Sequence, residues 1–296
     1  MSPSNELNTV LDMIRKRTEE VRNTTDDERL SYERVMANLL IDDDIATSRV
    51  GANGVPSEWI SAPESASDRV ILYLHGGGYV IGSVRTHRAL VSHLARAAKS
   101  RVLALDYRLA PEFPFPAPVE DAISSYRWLL GQGISPEKIS IAGDSAGGGL
   151  VISALVALKN VGEPLPSAGI CISPWVDMEA TGGSYTSNAE ADPSVSRSRI
   201  LKMAETYMDG KNPRAPLASP IHADLSGLPP LMIQVGGIEV LLDDSNMLKS
   251  AAEAANVSVN MEIWDHMPHV WHHYAPILPE AREAIGKIGE FLLNRT

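Results

Sequence analysis

The chain has 296 residues, 44% of them hydrophobic, which is enough for one large core. Its formal net charge of -11 and its pI near 5.2 argue against nucleic acid or an anionic membrane surface as a partner, because both require a basic patch. Cys171 is the only cysteine, so no internal disulfide can form and a reducing compartment is expected. The N-terminal segment lacks a leader pattern and no apolar run approaches ~18 residues, so we expect a cytoplasmic protein.

Two amphipathic helices are predicted near the start of the chain. Apolar residues recur at helical spacing over 7–21 and again over 27–40. Residues 46–68 are polar and rich in turn formers. We expect edge strands there at 47–50 and 58–61.

From residue 70 onward, short apolar runs alternate with helical patterns. This alternation predicts the α/β class, with right-handed crossovers and a mostly parallel sheet covered by helices on both faces. The predicted strands are 70–74, 101–105, 139–142, 169–173, 231–235 and 259–264, and the predicted helices are 86–98, 118–130, 146–158, 244–255 and 279–293. Residues 175–220 interrupt the alternation with a Ser-, Gly- and Pro-rich stretch and one helical pattern near 198–208, and such long loops are usually functional or mobile.

A His-Gly-Gly-Gly-Tyr run begins at His75, directly after the predicted strand 70–74. Consecutive glycines leave bare N–H groups, which stabilise the negative charge that develops on a carbonyl oxygen during acyl transfer. We therefore expect the N–H groups of Gly76 and Gly77 to be oxyanion donors. A phosphate-binding loop is the alternative, but the lysine and glycine spacing of such loops are absent. Tyr79 is expected either to line a substrate pocket or to pack in the core.

The predicted strand 139–142 breaks into Gly143-x-Ser145-x-Gly147 ahead of a predicted helix. Glycines on both sides of the serine allow a strand to turn into a helix within a few residues, which exposes the Ser145 hydroxyl at the helix N-terminus. The pattern predicts a nucleophile elbow, with the N–H of Ala146 as a further oxyanion donor. By itself, so short a pattern is also compatible with a glycine-rich turn that carries no chemistry.

Three stretches together resemble the bacterial hormone-sensitive lipase-like esterases, a group of α/β-hydrolases. They are the glycine loop that begins at His75, the segment Asp106-Tyr-Arg-Leu-Ala-Pro-Glu112 with Phe-Pro-Phe-Pro-Ala after it, and Gly143-Asp-Ser-Ala-Gly-Gly148. The resemblance extends from about residue 50 to the C-terminus. It implies an α/β-hydrolase domain over 46–296, a helical cap from residues 1–45, and a cap insertion at about 176–220.

In α/β-hydrolases the nucleophile is followed along the chain by the acid and then by the histidine that takes the serine proton. Five histidines follow Ser145. We select His269, because it comes after the last predicted strand and is followed two residues later by an aromatic residue, as the resemblance implies. His266 is the alternative. His272 and His273 are expected to be surface residues.

The acid departs from the family pattern. After the predicted strand 231–235 the relatives generally carry Asp-Pro-Leu-x-Asp, whereas this chain carries Glu239-Val-Leu-Leu-Asp243. Alignment on the leucine gives Glu239 the catalytic position, and a glutamate can orient a histidine through Nδ1 as an aspartate does. Asp243 is the alternative acid, and its residue type also suits a helix N-cap.

These patterns predict a serine carboxylesterase that acts on small-molecule esters through Ser145, His269 and Glu239, and the resemblance implies short acyl chains. The alternatives are a lipase for longer chains, amide hydrolysis by the same triad, and a non-catalytic ligand receptor of this fold, against which the retained histidine argues. No His, Cys and acidic cluster has metal-ligand spacing, so neither a metal nor a cofactor is expected. A homodimer is expected, because an open sheet leaves an exposed edge.

Overall fold

A central eight-stranded sheet organises the structure, a computed structural model that describes residues 4–23, 28–36 and 39–295. The strands are β1 (Ala46–Ala52), β2 (Val55–Ser61), β3 (Ala66–Leu74), β4 (Ser100–Leu105), β5 (Ile139–Asp144), β6 (Ala168–Ile172), β7 (Leu231–Gly236) and β8 (Val259–Trp264). Their order across the sheet is β1-β2-β4-β3-β5-β6-β7-β8. β2 runs antiparallel to both neighbours, whereas β3 to β8 run parallel, which confirms the predicted mostly parallel sheet.

The buried part of β3 contributes to both faces of the sheet. Val70, Leu72 and Leu74 belong to one core, and Ile71 and Tyr73 belong to the other. All five are at most 2% exposed. Side chains alternate between the faces of a strand, so a run that is apolar at every position forms a strand covered on both sides.

Helices cover both faces. They are α1 (Asn5–Asn23), α2 (Glu28–Met36), α3 (Val84–Ala98), α4 (Ala117–Gly131), α5 (Ala146–Asn160), α6 (Ser184–Ser187), α7 (Arg197–Met208), α8 (Leu242–Ala254) and α9 (Pro279–Leu293), with 3-10 turns at Pro136–Lys138, Pro220–His222 and Trp271–Tyr274. α4, α5, α7 and α8 contribute to the first core, and α1, α3 and α9 contribute to the second. Within the described ranges, none of these helices combines the length and apolar character that a bilayer crossing requires.

The predicted elements are present, and the differences lie at their ends. β8 and α9 have the predicted bounds. β3 begins four residues earlier than predicted, because its first residues, 66–69, are partly or fully exposed and carry no apolar run. β2 is not an edge strand, since it pairs with both β1 and β4. Of the helix predicted at 27–40, the structure describes Glu28–Met36, and residues 27, 37 and 38 lie outside the described residues.

Candidate active site

Ser145 lies in the tight turn between β5 and α5. Its backbone φ is 54°, a left-handed conformation that costs energy for any residue with a Cβ. The turn requires small neighbours: a Cβ on Gly143 would lie 2.4 Å from the carbonyl oxygen of Gly147, and a Cβ on Gly147 would lie 2.0 Å from that of Leu74. This is the strand-turn-helix conformation that the glycine spacing predicts, and it leaves Ser145 on the wall of a cavity.

The glycine loop after β3 lines the same cavity as Ser145. Gly77 and Gly78 both line it and have φ values of 119° and 62°. A Cβ on Gly77 would lie 2.1 Å from the carbonyl oxygen of Ile81, so the loop can close only without a side chain there. In the part of the chain that is described, the N–H groups of Gly77, Gly78 and Ala146 donate to no protein acceptor. All three are therefore available to an oxygen atom in the cavity.

Gly76 differs from its two neighbours. Its N–H donates to Oδ1 of Asp144 at 3.0 Å and lies 3.3 Å from Nε2 of His87. A Cβ on Gly76 would meet Oδ2 of Asp144 at 2.2 Å, so the carboxylate packs directly against the loop backbone. The sequence suggests Gly76 as an oxyanion donor, but in the structure its N–H is already occupied by Asp144, and Gly76 does not line the cavity.

Asp144 is a buried carboxylate with a set of protein donors. The Tyr73 hydroxyl donates to Oδ1 at 2.7 Å, and Nε2 of His87 lies 3.2 Å from Oδ2. Burial alone would raise the pKa of Asp144, but His87 and Tyr73 favour the charged form and hold the pKa well below its ordinary value. Asp144 is therefore an anion that ties the glycine loop to the residue before Ser145.

His269 lies between β8 and the 3-10 turn at Trp271–Tyr274, and it lines the cavity that Ser145 lines. Its Nδ1 is 2.7 Å from Oε2 of the fully buried Glu239. Burial would lower the pKa of His269, but the charge and hydrogen bond of Glu239 raise it above the ordinary value of 6.5. Because Nδ1 is bound to the carboxylate, Nε2 is the nitrogen left to exchange a proton.

Glu239 is held by two further donors. The Ser173 hydroxyl and the Gly236 N–H each donate to Oε1 at 2.6 Å. The Ser173 hydroxyl also accepts from the N–H of Val270, the residue after His269, at 3.2 Å. Ser173 thereby connects the carboxylate to the histidine segment. Sequence reasoning missed Ser173. The signal that could have found it is its position directly after β6, at the edge of the sheet where the neighbouring parallel strands also end.

The alternatives for the acid and the histidine lie elsewhere. Asp243 is in the first turn of α8, where Oδ2 accepts from the N–H of Ser184 at 2.8 Å. It is not the N-cap of that helix, a position that Leu241 takes. His266 is exposed and does not line the cavity. Of the acids and histidines considered, the structure brings together Glu239 and His269.

Tyr79 is buried in the core and does not line the cavity. Its ring stacks on that of Tyr207, with centroids 3.9 Å apart, and lies 5.9 Å from the ring of Trp175. The chain turns at Tyr79 with a φ of 61°, and the residue is 1% exposed. Of the two roles expected for Tyr79, the structure therefore supports packing and not substrate binding.

His272 and His273 are buried, so the expectation that they are surface residues is wrong. The 3-10 turn that contains them packs into the second core, with Trp271 and Tyr274. Nε2 of His272 lies 2.8 Å from Oε1 of Gln234 in β7. Burial lowers the pKa of His272 to about 3, so this ring is neutral near pH 7.

His87, Asp144 and His273 bring three metal-ligand atoms within 4.8 Å of one another in the described chain. Their distance along the sequence explains why residue spacing gave no sign of this group. The carboxylate of Asp144 and Nε2 of His87 already take part in hydrogen bonds, whereas Nδ1 of His273 has no hydrogen-bond partner in the described part of the chain. The group forms a polar network behind Ser145, and these bonds would have to break for a metal ion to bind.

Comparison with known proteins gives concordant results. A family model described as alpha/beta hydrolase fold matches residues 71–273. An acetyl-hydrolase of Streptomyces hygroscopicus is 51% identical over 240 residues, which are 81% of this chain and 80% of the relative. The crystal structure of an esterase from the bacterial hormone-sensitive lipase family has 61% identity and a TM-score of 0.97, and the match covers 100% of this chain and 99% of that one. EstE5 soaked by p-nitrophenyl butyrate has 46% identity and a TM-score of 0.94, with 99% of both chains covered.

Ser173→Ala tests the support of the Glu239 carboxylate. The change removes a donor from a buried anion, so we expect the free energy of unfolding to fall by about 1–3 kcal/mol. Ser153→Ala is the matched control, because Ser153 is equally buried but its hydroxyl donates only to a helix carbonyl, that of Gly149. The control should change stability less than Ser173→Ala, because the hydroxyl of Ser153 bonds only within its own helix and alanine is the better helix former. Urea unfolding measures both, and a Ser173→Ala protein as stable as the control would contradict the assignment.

Proposed function

We propose that this chain, which belongs to the bacterial hormone-sensitive lipase family of α/β-hydrolase esterases, hydrolyses small carboxylic esters with Ser145 as nucleophile. The observation that carries the proposal is the 2.7 Å hydrogen bond between His269 and Glu239, in a cavity that Ser145 also lines. A serine hydroxyl is a weak nucleophile until a base removes its proton, and an imidazole oriented by a carboxylate is such a base.

The reaction proceeds through an acyl-enzyme. Ser145 Oγ attacks the ester carbonyl carbon while Nε2 of His269 takes the hydroxyl proton, and the ionised Glu239 stabilises the resulting imidazolium. The imidazolium then gives its proton to the leaving alkoxide as the ester C–O bond breaks. In the second half, His269 takes a proton from water, the hydroxide attacks the acyl carbon, and the proton returns to Ser145 as the carboxylic acid leaves.

The oxyanion of each tetrahedral intermediate accepts hydrogen bonds from the N–H groups of Gly77, Gly78 and Ala146. These three donors have no protein acceptor among the described residues, so no bond has to break before they act. Gly78 takes the role that the sequence suggests for Gly76, whose N–H donates to Asp144. Asp144 then acts on the oxyanion site by positioning the loop.

The cavity wall favours a short acyl group. Its apolar part is formed by Ile81, Val195, Ile200, Met203 and Val270. Arg17 and Arg199 line the same cavity. A long alkyl tail would have to remove water from these charged groups, which is costly, whereas a short acyl group can stay on the apolar part.

We also propose that the described residues of segment 1–45 and the insertion at about 176–220 form a cap over the cavity. α1 and α7 both contribute lining residues. The Thr18 hydroxyl of α1 donates to the carbonyl of Pro193 at 3.1 Å, which connects the two segments directly.

A homodimer stays a prediction. β8 is a terminal strand of the sheet, and its residue Ile263 is 50% exposed. Such an edge can pair with a second copy of the chain. Light scattering measures the mass in solution, and a monomer over a wide concentration range would contradict the dimer.

Ser145→Ala tests the nucleophile. We expect kcat for 4-nitrophenyl butyrate to fall at least about a thousandfold, because the acyl-enzyme cannot form. Ser153→Ala, a buried serine in α5, should retain activity. The parent should hydrolyse the butyrate ester faster than the palmitate ester. Retained turnover in Ser145→Ala would refute the mechanism, and faster palmitate turnover would refute the short-chain preference.

The pH dependence tests the base. His269 accepts a proton only when neutral, so kcat/KM should fall as the pH drops through its pKa, which burial lowers but Glu239 raises more strongly. Glu239→Gln removes that charge and should move the acid limb to lower pH, while kcat falls about a hundredfold or more. Glu253→Gln, an exposed residue that pairs with Lys249, is the control and should leave the limb in place. If the acid limb of the kcat/KM profile does not move in Glu239→Gln, the pairing of Glu239 with His269 as the catalytic base is wrong.

A further inference from the structure

The proposed active-site cavity has a polar, cationic part. Arg17, Thr18, Ser194 and Arg199 line it together with Ser145 and His269. An adjoining groove shares Thr18, Ser194 and Arg199 and continues the same chemistry. We call this surface the basic mouth, and its defining residues are Arg17, Thr18, Ser194, Ser198, Arg199 and Lys202.

Arg17 has no carboxylate partner among the residues whose side chains are described. Its Nη1 donates to the hydroxyl of Tyr274 and lies against Sδ of Met36, both at 3.2 Å, and both groups are uncharged. The residue is half-buried. A guanidinium that is partly removed from water without a counter-charge gains free energy when an anion binds to it.

The rest of the basic mouth does not cancel this charge. Arg199 forms an ion pair with Glu28, so its charge is compensated. Lys202 is exposed and has no ion pair among the described residues. Asp144 is the acidic residue of the two linings, and its carboxylate is occupied by protein donors. The positive charge of the mouth therefore comes from Arg17 and Lys202, on a chain of net charge -11.

We propose that the basic mouth binds an anionic group, a carboxylate or a phosphate, on the part of the ester that does not react. The inference rests on the proposed function and specifies its substrate class: esters that carry a negative charge a few bonds from the scissile carbonyl. Arg17 contacts the anion, and Lys202 adds positive charge that attracts it to the opening.

A structural role for Arg17 predicts a different result. If Arg17 only braces α1 against Tyr274, its loss would affect charged and neutral substrates alike. Recognition of an anion instead requires the positive charge, so Arg17→Lys should retain selectivity and Arg17→Gln should lose it. Selectivity is the ratio of kcat/KM for an anionic ester to that for its neutral partner. Both are measured on one preparation, so any loss of folded protein cancels.

Two pairs of substrates supply the test. In the first pair, monoethyl succinate carries a carboxylate on the acyl side and ethyl butyrate is its neutral partner. In the second pair, 1-butyrylglycerol 3-phosphate carries a phosphate on the alcohol side and 1-butyrylglycerol is its neutral partner. Acid release is followed at constant pH. The pair whose ratio responds to Arg17 identifies the anion and the side of the ester that reaches the mouth.

We expect Arg17→Gln to lower the kcat/KM ratio in at least one substrate pair by about tenfold or more, the effect of losing a charged hydrogen bond. Arg15→Gln is the matched control, two residues away on α1, exposed and paired with Asp12, and it should leave both ratios within about threefold. For the parent, raising the ionic strength from about 0.05 to 0.5 M should lower the responsive ratio.

Two results would overturn the proposal. In one, both kcat/KM ratios are unchanged in Arg17→Gln; in the other, Arg15→Gln lowers a ratio as much as Arg17→Gln does. If the parent hydrolyses the neutral esters but its kcat/KM ratios do not depend on Arg17, the anion site is wrong and the proposed function still stands. If the parent hydrolyses none of the four esters, both the proposed function and the anion site are contradicted.

Discussion

The turn that contains Ser145 touches the end of β3 backbone to backbone, and there is no room for a side chain between them. A Cβ on Gly147 would lie 2.0 Å from the carbonyl oxygen of Leu74 and 2.7 Å from that of His75. β3 and β5 are adjacent parallel strands, so their carboxyl ends reach the same edge of the sheet. This contact sets the separation between the Ser145 hydroxyl and the glycine loop, and the N–H donors of that loop take their positions from it.

Two buried carboxylates stabilise the arrangement, and each acts on a different part of it. Asp144 binds the N–H of Gly76 and so fixes the glycine loop, whereas Glu239 binds Nδ1 of His269 and raises the pKa of that imidazole. A buried charge is tolerated only when donors surround it, and both carboxylates have several. The donors to Glu239 include Ser173, which also accepts from the segment that carries the histidine. The geometry is therefore held by groups that take no part in bond making.

The sequence predicted those features that local chemistry determines. Apolar runs marked the buried strands, and glycine spacing marked the turn at Ser145, because a Cβ would clash there whatever the distant surroundings are. It could not predict features that depend on contacts between side chains far apart in the sequence. The direction of the Asp144 carboxylate decides that the N–H of Gly76 is occupied, while those of Gly77 and Gly78 have no acceptor among the described residues. Ser173 belongs to no local motif and acts only because β6 and β7 are neighbours.

We infer that this turn makes Ser145 the group that forms a covalent bond with the substrate. The most direct measurement is labelling with phenylmethylsulfonyl fluoride, followed by peptide mass mapping and ester assays on the same samples. We expect a single sulfonyl group on Ser145, with activity lost in proportion to labelling. Full activity in a chain whose Ser145 is completely labelled, or inactivation by a label on another residue, would contradict it.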